Sequence, residues 1–312
     1  MYPKVSIATT LINAEDILVF FIKYHLAIGF EHIFLFFDNP NDKSIRKAEK
    51  FEKVTVIRND DSLKNLWKMS PQYELMYYFR DQEVEARQVL NTDVALHLAM
   101  EMKLDWLLHI DIDELFYSPK QSVKEHFQDL IEKGVKSISY FNYEAVPEKF
   151  EINNFFRHIT LFKKNFYLLS PEEKEKSESL TKNKANFFFQ YANGKSAARV
   201  IKGLRASGTH FFYTDSMKAE NFPLILHYPC CGFKHFLKKY QTLGNFSGQH
   251  FNTNYSTLLV HLKSRDVVMS GDLREIRDFY EKEIMIFTPE QIELLIKENL
   301  FCHITEPSRM EL

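Results

Sequence analysis

Uninterrupted apolar runs alternate with amphipathic stretches along the first third of the chain. Val5–Leu11 reads as a strand, and Ile17, Phe20, Phe21, Tyr24 and Ile28 then fall at helical spacing. Asn13 is placed to cap that helix, with Asp16 completing a weak capping box and Gly29 ending it. His32–Phe37 is apolar throughout, which suits a strand covered on both faces, and Asp38-Asn39-Pro40-Asn41-Asp42 breaks it. A helix from about Ser44 and a third strand at Val54–Ile57 follow. Ala86, Leu90, Val94, Leu98 and Met102 form the stripe of a long helix. Trp106–Ile110 is then a buried strand that runs into Asp111-Ile112-Asp113-Glu114. Strands alternating with helices predict a parallel sheet with right-handed crossovers.

Beyond Phe116 the pattern loosens. Ser137–Phe141 reads as a strand leading to a turn at Asn142-Tyr143-Glu144, and polar Ser170–Lys184 reads as a loop. Lys195–His210, Leu224–Tyr228 and an aromatic-rich helix near Phe233–Tyr240 complete the core, and the tail from about Thr288 predicts an exposed amphipathic helix. At 312 residues, 45% hydrophobic and 15% aromatic, the chain can build a large core. A net charge of -2 argues against nucleic acid as a partner, and Lys163-Lys164 and Lys182–Lys195 read as solvated loops. Three cysteines with no CxxC pair support neither a zinc ribbon nor a disulfide scaffold. The apolar run Ile17–Ile22 is far shorter than the ~20 residues that span a bilayer. Asn13, Glu15 and Asp16 interrupt any signal-peptide core, so the expected location is cytoplasmic.

The chemistry concentrates at one predicted edge. Carboxylates at the carboxyl end of a buried parallel strand stand where open α/β sheets bind ligands. On an extended chain the spacing of Asp111 and Asp113 puts both on one side, which suits a divalent, oxygen-seeking cation. A solvated acidic turn is the alternative for that triplet taken alone. Thr10, Asn13, Asp38 and Asp60 fall at the same edge, Asp60 and Asp61 as turn formers. Arg87, near Gln88 and Asn91 in the first half of the long helix, is a phosphate candidate. The nine glycines form no dinucleotide or P-loop fingerprint, so a bound diphosphate would need another source of positive charge.

Asn13–Asp42 (NAEDILVFFIKYHLAIGFEHIFLFFDNPND), Arg87-Gln88 with Asn91, Trp106–Phe116 (WLLHIDIDELF), Lys195–His210 (KSAARVIKGLRASGTH) and Leu226–Lys238 (LHYPCCGFKHFLK) together resemble the GT-A nucleotide-sugar glycosyltransferases. The nearest branch is the family ninety-two and family-two-like one, which shows a DxD motif. The resemblance implies a GT-A-like (Rossmann-type) α/β fold, a mostly parallel twisted sheet with helices on both faces. It implies one domain over 1–285, with a nucleotide-binding half to about 118 and an acceptor and metal half beyond, and a helical extension at 286–312. The implied activity is metal-dependent transfer of a sugar from a nucleoside diphosphate, a UDP-sugar first, to a hydroxyl on a glycan, lipid or protein. Asp113 would bind Mn²⁺ or Mg²⁺ directly, with Asp111 on the ribose or a metal-bound water. Asp38 would meet the nucleobase or ribose, and Thr10 with Asn13 the uridine. His227 would complete the metal shell, with His210 in reserve, and Glu144 is the nearest carboxylate to act as base on the acceptor. Pro40-Asn41-Asp42 and Phe141-Asn142-Tyr143-Glu144 depart from the family pattern. Two other readings stay open: a haloacid-dehalogenase-like phosphatase using Asp111 and Asp113, and an inactive sugar-binding module.

Overall fold

The computed structural model describes residues 2–181, 191–249, 251 and 257–312. These residues hold the strands β1 (Val5–Leu11), β2 (His32–Phe37), β3 (Val54–Arg58), β4 (Trp106–His109), β5 (Glu114–Tyr117), β6 (Ser137–Tyr140), β7 (Asn142–Ala145), β8 (Leu161–Lys163), β9 (Lys195–Arg199), β10 (Ala206–Ser207), β11 (Phe211–Phe212), β12 (Ser216–Lys218), β13 (Leu224–His227) and β14 (Phe301–His303). Contacts divide the chain into two units: residues 1–141 with 193–225 and Leu312, and residues 142–192 with 226–311.

The first unit is built on a seven-stranded sheet in the order β12-β6-β9-β4-β1-β2-β3. All of its pairings are parallel except the two made by β9. Every residue of β1, β2 and β4 is buried, as unbroken apolar runs require of central parallel strands. The helices are α1 (Leu18–Ala27), α2 (Ile45–Ala48), α3 (Asp61–Trp67), α4 (Tyr73–Met76), α5 (Val84–Glu101) and α6 (Val123–Glu132). They cover both faces. Val5 pairs with Trp106, so Trp106 lies on the opposite face from Thr10; Thr10 meets α5 and Trp106 meets Phe127 of α6. The α/β class with a mostly parallel sheet holds.

Local details differ from the sequence pattern. Helix α1 starts at Leu18, with Ile17 rather than Asn13 at its N-cap position. Asn13 takes φ +55°, and its N–H donates to Asp42 Oδ2 at 2.7 Å. Buried Asp42 also accepts from the N–H and Oγ of Ser44, so it staples the loop after β1 to the loop after β2. A buried carboxylate needs such donors. Asp60 is the N-cap of α3, accepting from Ser62 and Leu63. In α5 the expected stripe is buried at Ala86, Leu90 and Val94, while Met102 is exposed.

Gly194 decides how β9 enters the sheet. At φ +66° its backbone passes so close to β6 that an added Cβ would stand 1.7 Å from the Tyr140 carbonyl oxygen. Only glycine is tolerated there, and the next residue is Lys195.

In the second unit the strand order is β14-β8-β7-β13, with β7–β8 and β8–β14 antiparallel. Glu144 was expected in a turn; it lies inside β7 and is fully buried. Pro171–Thr181, expected as loop, is a helix. Ser170 Oγ accepts from the Glu173 N–H and Glu173 returns the bond to Ser170 N–H, a capping box followed by Pro at the first turn. Too few apolar residues line that helix to give a stripe, and Lys182–Lys184 lie outside the described residues. In the tail, Thr288 and Gln291 form a second capping box for Pro289–Lys297. Leu295, Leu300 and Phe301 pack against Val146, Leu161 and Leu169, so this stretch of the tail is knit into the unit. All three cysteines are free thiols, and no helix among the described residues is long and apolar enough to cross a membrane.

Candidate functional site

Three parallel strands of the first unit, β4, β1 and β2, deliver Asp111, Thr10 and Asp38 to one carboxyl edge, and one stretch of α5 grips all three. Asn91 Nδ2 donates to Thr10 Oγ1 at 2.9 Å while its Oδ1 accepts the Trp67 indole N–H at 2.8 Å. Gln88 Nε2 donates to Asp111 Oδ1 at 2.7 Å. Arg87 grips Asp38 through Nε and Nη2 at 2.8–3.0 Å. Its Nη1 donates to the carbonyls of Arg80 and Glu83. Arg87 was expected to meet phosphate; its guanidinium is instead spent inside the protein, as the anchor that orients Asp38. The sequence marks this helix segment, but not the bonds that Gln88 and Asn91 make to residues far away in the chain.

Replacing Asn91 by Leu keeps the volume and strips the amide, leaving the buried Trp67 N–H and the Thr10 hydroxyl to find new partners. We expect a loss of about 1–3 kcal/mol per orphaned group in denaturant unfolding. An unchanged midpoint would show that this chain of bonds holds nothing.

The acidic segment is not extended. Glu114 N–H bonds to the Asp111 carbonyl at 3.1 Å, so the chain turns between β4 and β5, with Asp113 partly exposed in the turn. Glu114 is fully buried, and its Oε2 accepts the Asp111 N–H at 2.7 Å. The residue that completes this corner is Lys195. Its side chain is 1% exposed, and its ammonium lies 2.8 Å from Asp111 Oδ2 and 4.0 Å from Glu114 Oε2. Lys195 was expected at the end of a solvated loop; it opens β9 and is buried. The signal was the alternation Lys-Ser-Ala-Ala-Arg behind a glycine, a short strand whose small residues allow close packing.

Burial by itself pushes the Asp111 carboxyl up, but the Lys195 ammonium, with His109 and His210 nearby, holds it well below the usual carboxylate range. Lys195 is opposed by burial and raised overall by Asp111 and Glu114. His109, buried at the end of β4, is pushed down to about 3 by burial and by Lys195, so it is neutral. His210 Nδ1 lies 2.8 Å from the Gly194 carbonyl oxygen.

Glu144 and His227 belong to the second unit. Glu144 faces Lys163 in register across β7–β8, with Lys163 Nζ 3.0 Å from its Oε2. Its Oε1 accepts the Tyr191 N–H at 3.1 Å and lies 3.5 Å from His227 Nδ1. The His227 ring meets Tyr191 edge-on at 4.6 Å. Burial raises the Glu144 carboxyl, yet Lys163 and His227 bring it down to about 2. A carboxylate held that low is a poor proton acceptor, which weighs against the base expected at this position.

Among the described residues no three His, Cys, Asp or Glu side chains are grouped to hold a metal ion by themselves. At the acidic turn, however, three carboxylates face one ammonium. That donor set suits a hard divalent cation whose remaining ligands come from a substrate, as is usual for Mg²⁺ on phosphates. Asp113 stands partly exposed in the turn, whereas Asp111 is engaged at both oxygens, by Gln88 and Lys195.

No protein-family model matches the chain. Two Arabidopsis thaliana proteins named glycosyltransferase-like are similar to it. One is 29% identical over 244 residues, covering 72% of this chain and 53% of its own length. The other is 25% identical over 325 aligned positions, covering 98% and 62%. The chain therefore spans between about half and six-tenths of the curated relatives it matches. Among solved structures, core-mannan synthase A from Aspergillus fumigatus in its Mn/GDP form aligns at TM-score 0.30 and 7% identity, over 63% of this chain and 59% of that one. A mannosyltransferase from S. cerevisiae aligns at TM-score 0.29 and 12% identity, over 59% and 46%.

Proposed function

We propose that this chain is a GT-A glycosyltransferase module that moves a sugar from a nucleoside diphosphate, UDP first among candidates, to a hydroxyl acceptor. The observation that carries the reading is the convergence of Thr10, Asp38 and the Asp111–Glu114 turn on one carboxyl edge, each held by α5. The names of the two Arabidopsis relatives support it.

In this reading Asp38 accepts from the nucleoside. Its two oxygens keep acceptor capacity beyond the Arg87 bonds, and that clamp fixes the direction in which they point. Thr10, oriented by Asn91, lines the same pocket with Asn13. Asp113 holds Mn²⁺ or Mg²⁺, which when bound offsets charge building on the leaving diphosphate. Asp111 faces the ribose or a metal-bound water. A phosphatase reading needs Asp111 as an unencumbered nucleophile, and both of its oxygens are engaged.

The test is thermal unfolding with UDP and GDP, each with Mn²⁺ or with EDTA, on the wild type and on Asp113→Asn. A ligand at a hundredfold excess over its dissociation constant stabilises the wild type by about 2.7 kcal/mol. Asp113→Asn should keep the ligand-free midpoint and lose the metal-dependent part of that gain. A variant that unfolds, or one whose response to nucleotide and Mn²⁺ matches the wild type, would make Asp113 structural and sink the assignment.

A further inference from the structure

We propose that Lys195 is a built-in counter-cation, holding Asp111 when no donor is present, so that a divalent cation enters the acidic turn only together with a nucleoside diphosphate. The inference rests on the glycosyltransferase reading and adds to it an order of binding.

The geometry is specific. Lys195 Nζ lies 2.8 Å from Asp111 Oδ2, 3.4 Å from the Thr209 carbonyl oxygen and 4.0 Å from Glu114 Oε2, while Gln88 takes Asp111 Oδ1. The lysine side chain is 1% exposed, so water cannot readily take over a bond that is lost. Gly194, with no room for a side chain against Tyr140, fixes where the lysine leaves the backbone. A cation arriving alone at Asp111 would bring two positive charges against a buried ammonium and leave that ammonium without its main partner. A diphosphate arriving with the cation supplies anionic oxygens that can take Asp111's place for the lysine. Cation and nucleotide then favour each other, and the coupling is equal in both directions.

Metal uptake is read by titrating Mn²⁺ and following the electron paramagnetic resonance signal of the free ion, with and without UDP or GDP. We expect the wild type to bind Mn²⁺ at least tenfold more weakly without nucleotide than with it. Lys195→Met keeps the chain length and removes the charge, and should bind Mn²⁺ without nucleotide at least tenfold more tightly than the wild type does. Lys195→Arg should behave as the wild type. Equal or weaker nucleotide-free uptake by Lys195→Met overturns the proposal. Should that variant fail to fold, the wild type decides alone: Mn²⁺ binding equally tight with and without a nucleotide that itself binds overturns the counter-cation and leaves the donor site standing. Neither UDP nor GDP binding under any condition removes the donor site, and the counter-cation with it.

Discussion

Lowering the pH from 7 to 5 should cost this protein several kcal/mol of stability and unfold it cooperatively before the carboxylates titrate. Buried His25 is built to be neutral. Its Nδ1 lies 2.9 Å from the Phe21 carbonyl oxygen and so carries the proton, and its Nε2 accepts the Phe116 N–H at 3.2 Å. A second proton would have to sit on Nε2, against that N–H. Burial pushes His25 and His109 down to about 3 and His126 down to about 4, all from 6.5. The unfolded chain therefore takes up protons first, and stability fully present above pH 6.5 is lost as the pH falls toward the folded values. Each histidine contributes about 1.4 kcal/mol per pH unit in that window. By pH 4.5 the three together reach roughly 8 kcal/mol, against the 5–15 kcal/mol of a typical domain. Denaturant melts from pH 7.5 to 4.5 give the slope. His25→Leu should be less stable at pH 7.5, having lost the acceptor for Phe116, yet show a shallower slope by about 1.4 kcal/mol per unit; an unchanged slope would clear His25 of the effect.

The parts of this fold legible in the sequence are those set by local pattern. β1, β2 and β4 have runs apolar enough to be covered on both faces, and their ends place Thr10, Asp38 and Asp111 on one edge without any knowledge of contacts. What stayed hidden depends on residues far apart in sequence. Arg87 looked like a phosphate ligand because its type and position suit one, and only the fold shows Asp38 and two carbonyls using its donors. Lys195 is 84 positions from Asp111, and the short alternation behind Gly194 marks a strand without showing which carboxylate the lysine meets. The Asn13 N–H is held by a carboxylate 29 residues away, which no local pattern announces. Asn-Tyr-Glu has no apolar run and so reads as a turn, whereas the Glu144 partner Lys163 lies on another strand.

Removing Lys163 should be among the most damaging single changes in the second unit. Lys163→Met leaves Glu144, fully buried in β7, without the ammonium that faces it. Breaking one side of a buried pair costs about 3–5 kcal/mol, most of it the cost of the stranded charge. The pH dependence identifies that charge. In the wild type Glu144 is held at about 2, below the 4.5 of an ordinary glutamate, so its pairing stabilises above pH 4.5 and is lost as the pH falls toward 2. Without Lys163, burial pushes the folded carboxyl up, so less of the stability depends on its staying ionised. The deficit of Lys163→Met relative to the wild type should therefore be largest near pH 7.5 and shrink toward pH 5, though both proteins lose stability there through their histidines. A constant deficit would mean that packing, not charge, was lost. Glu144→Gln separates structure from chemistry at the same position. We expect a lower unfolding midpoint and, per folded molecule, transfer within a few-fold of the wild type. A loss of ~10²-fold or more with the midpoint unchanged, the size of effect general-base removal produces, would return Glu144 to the role of base.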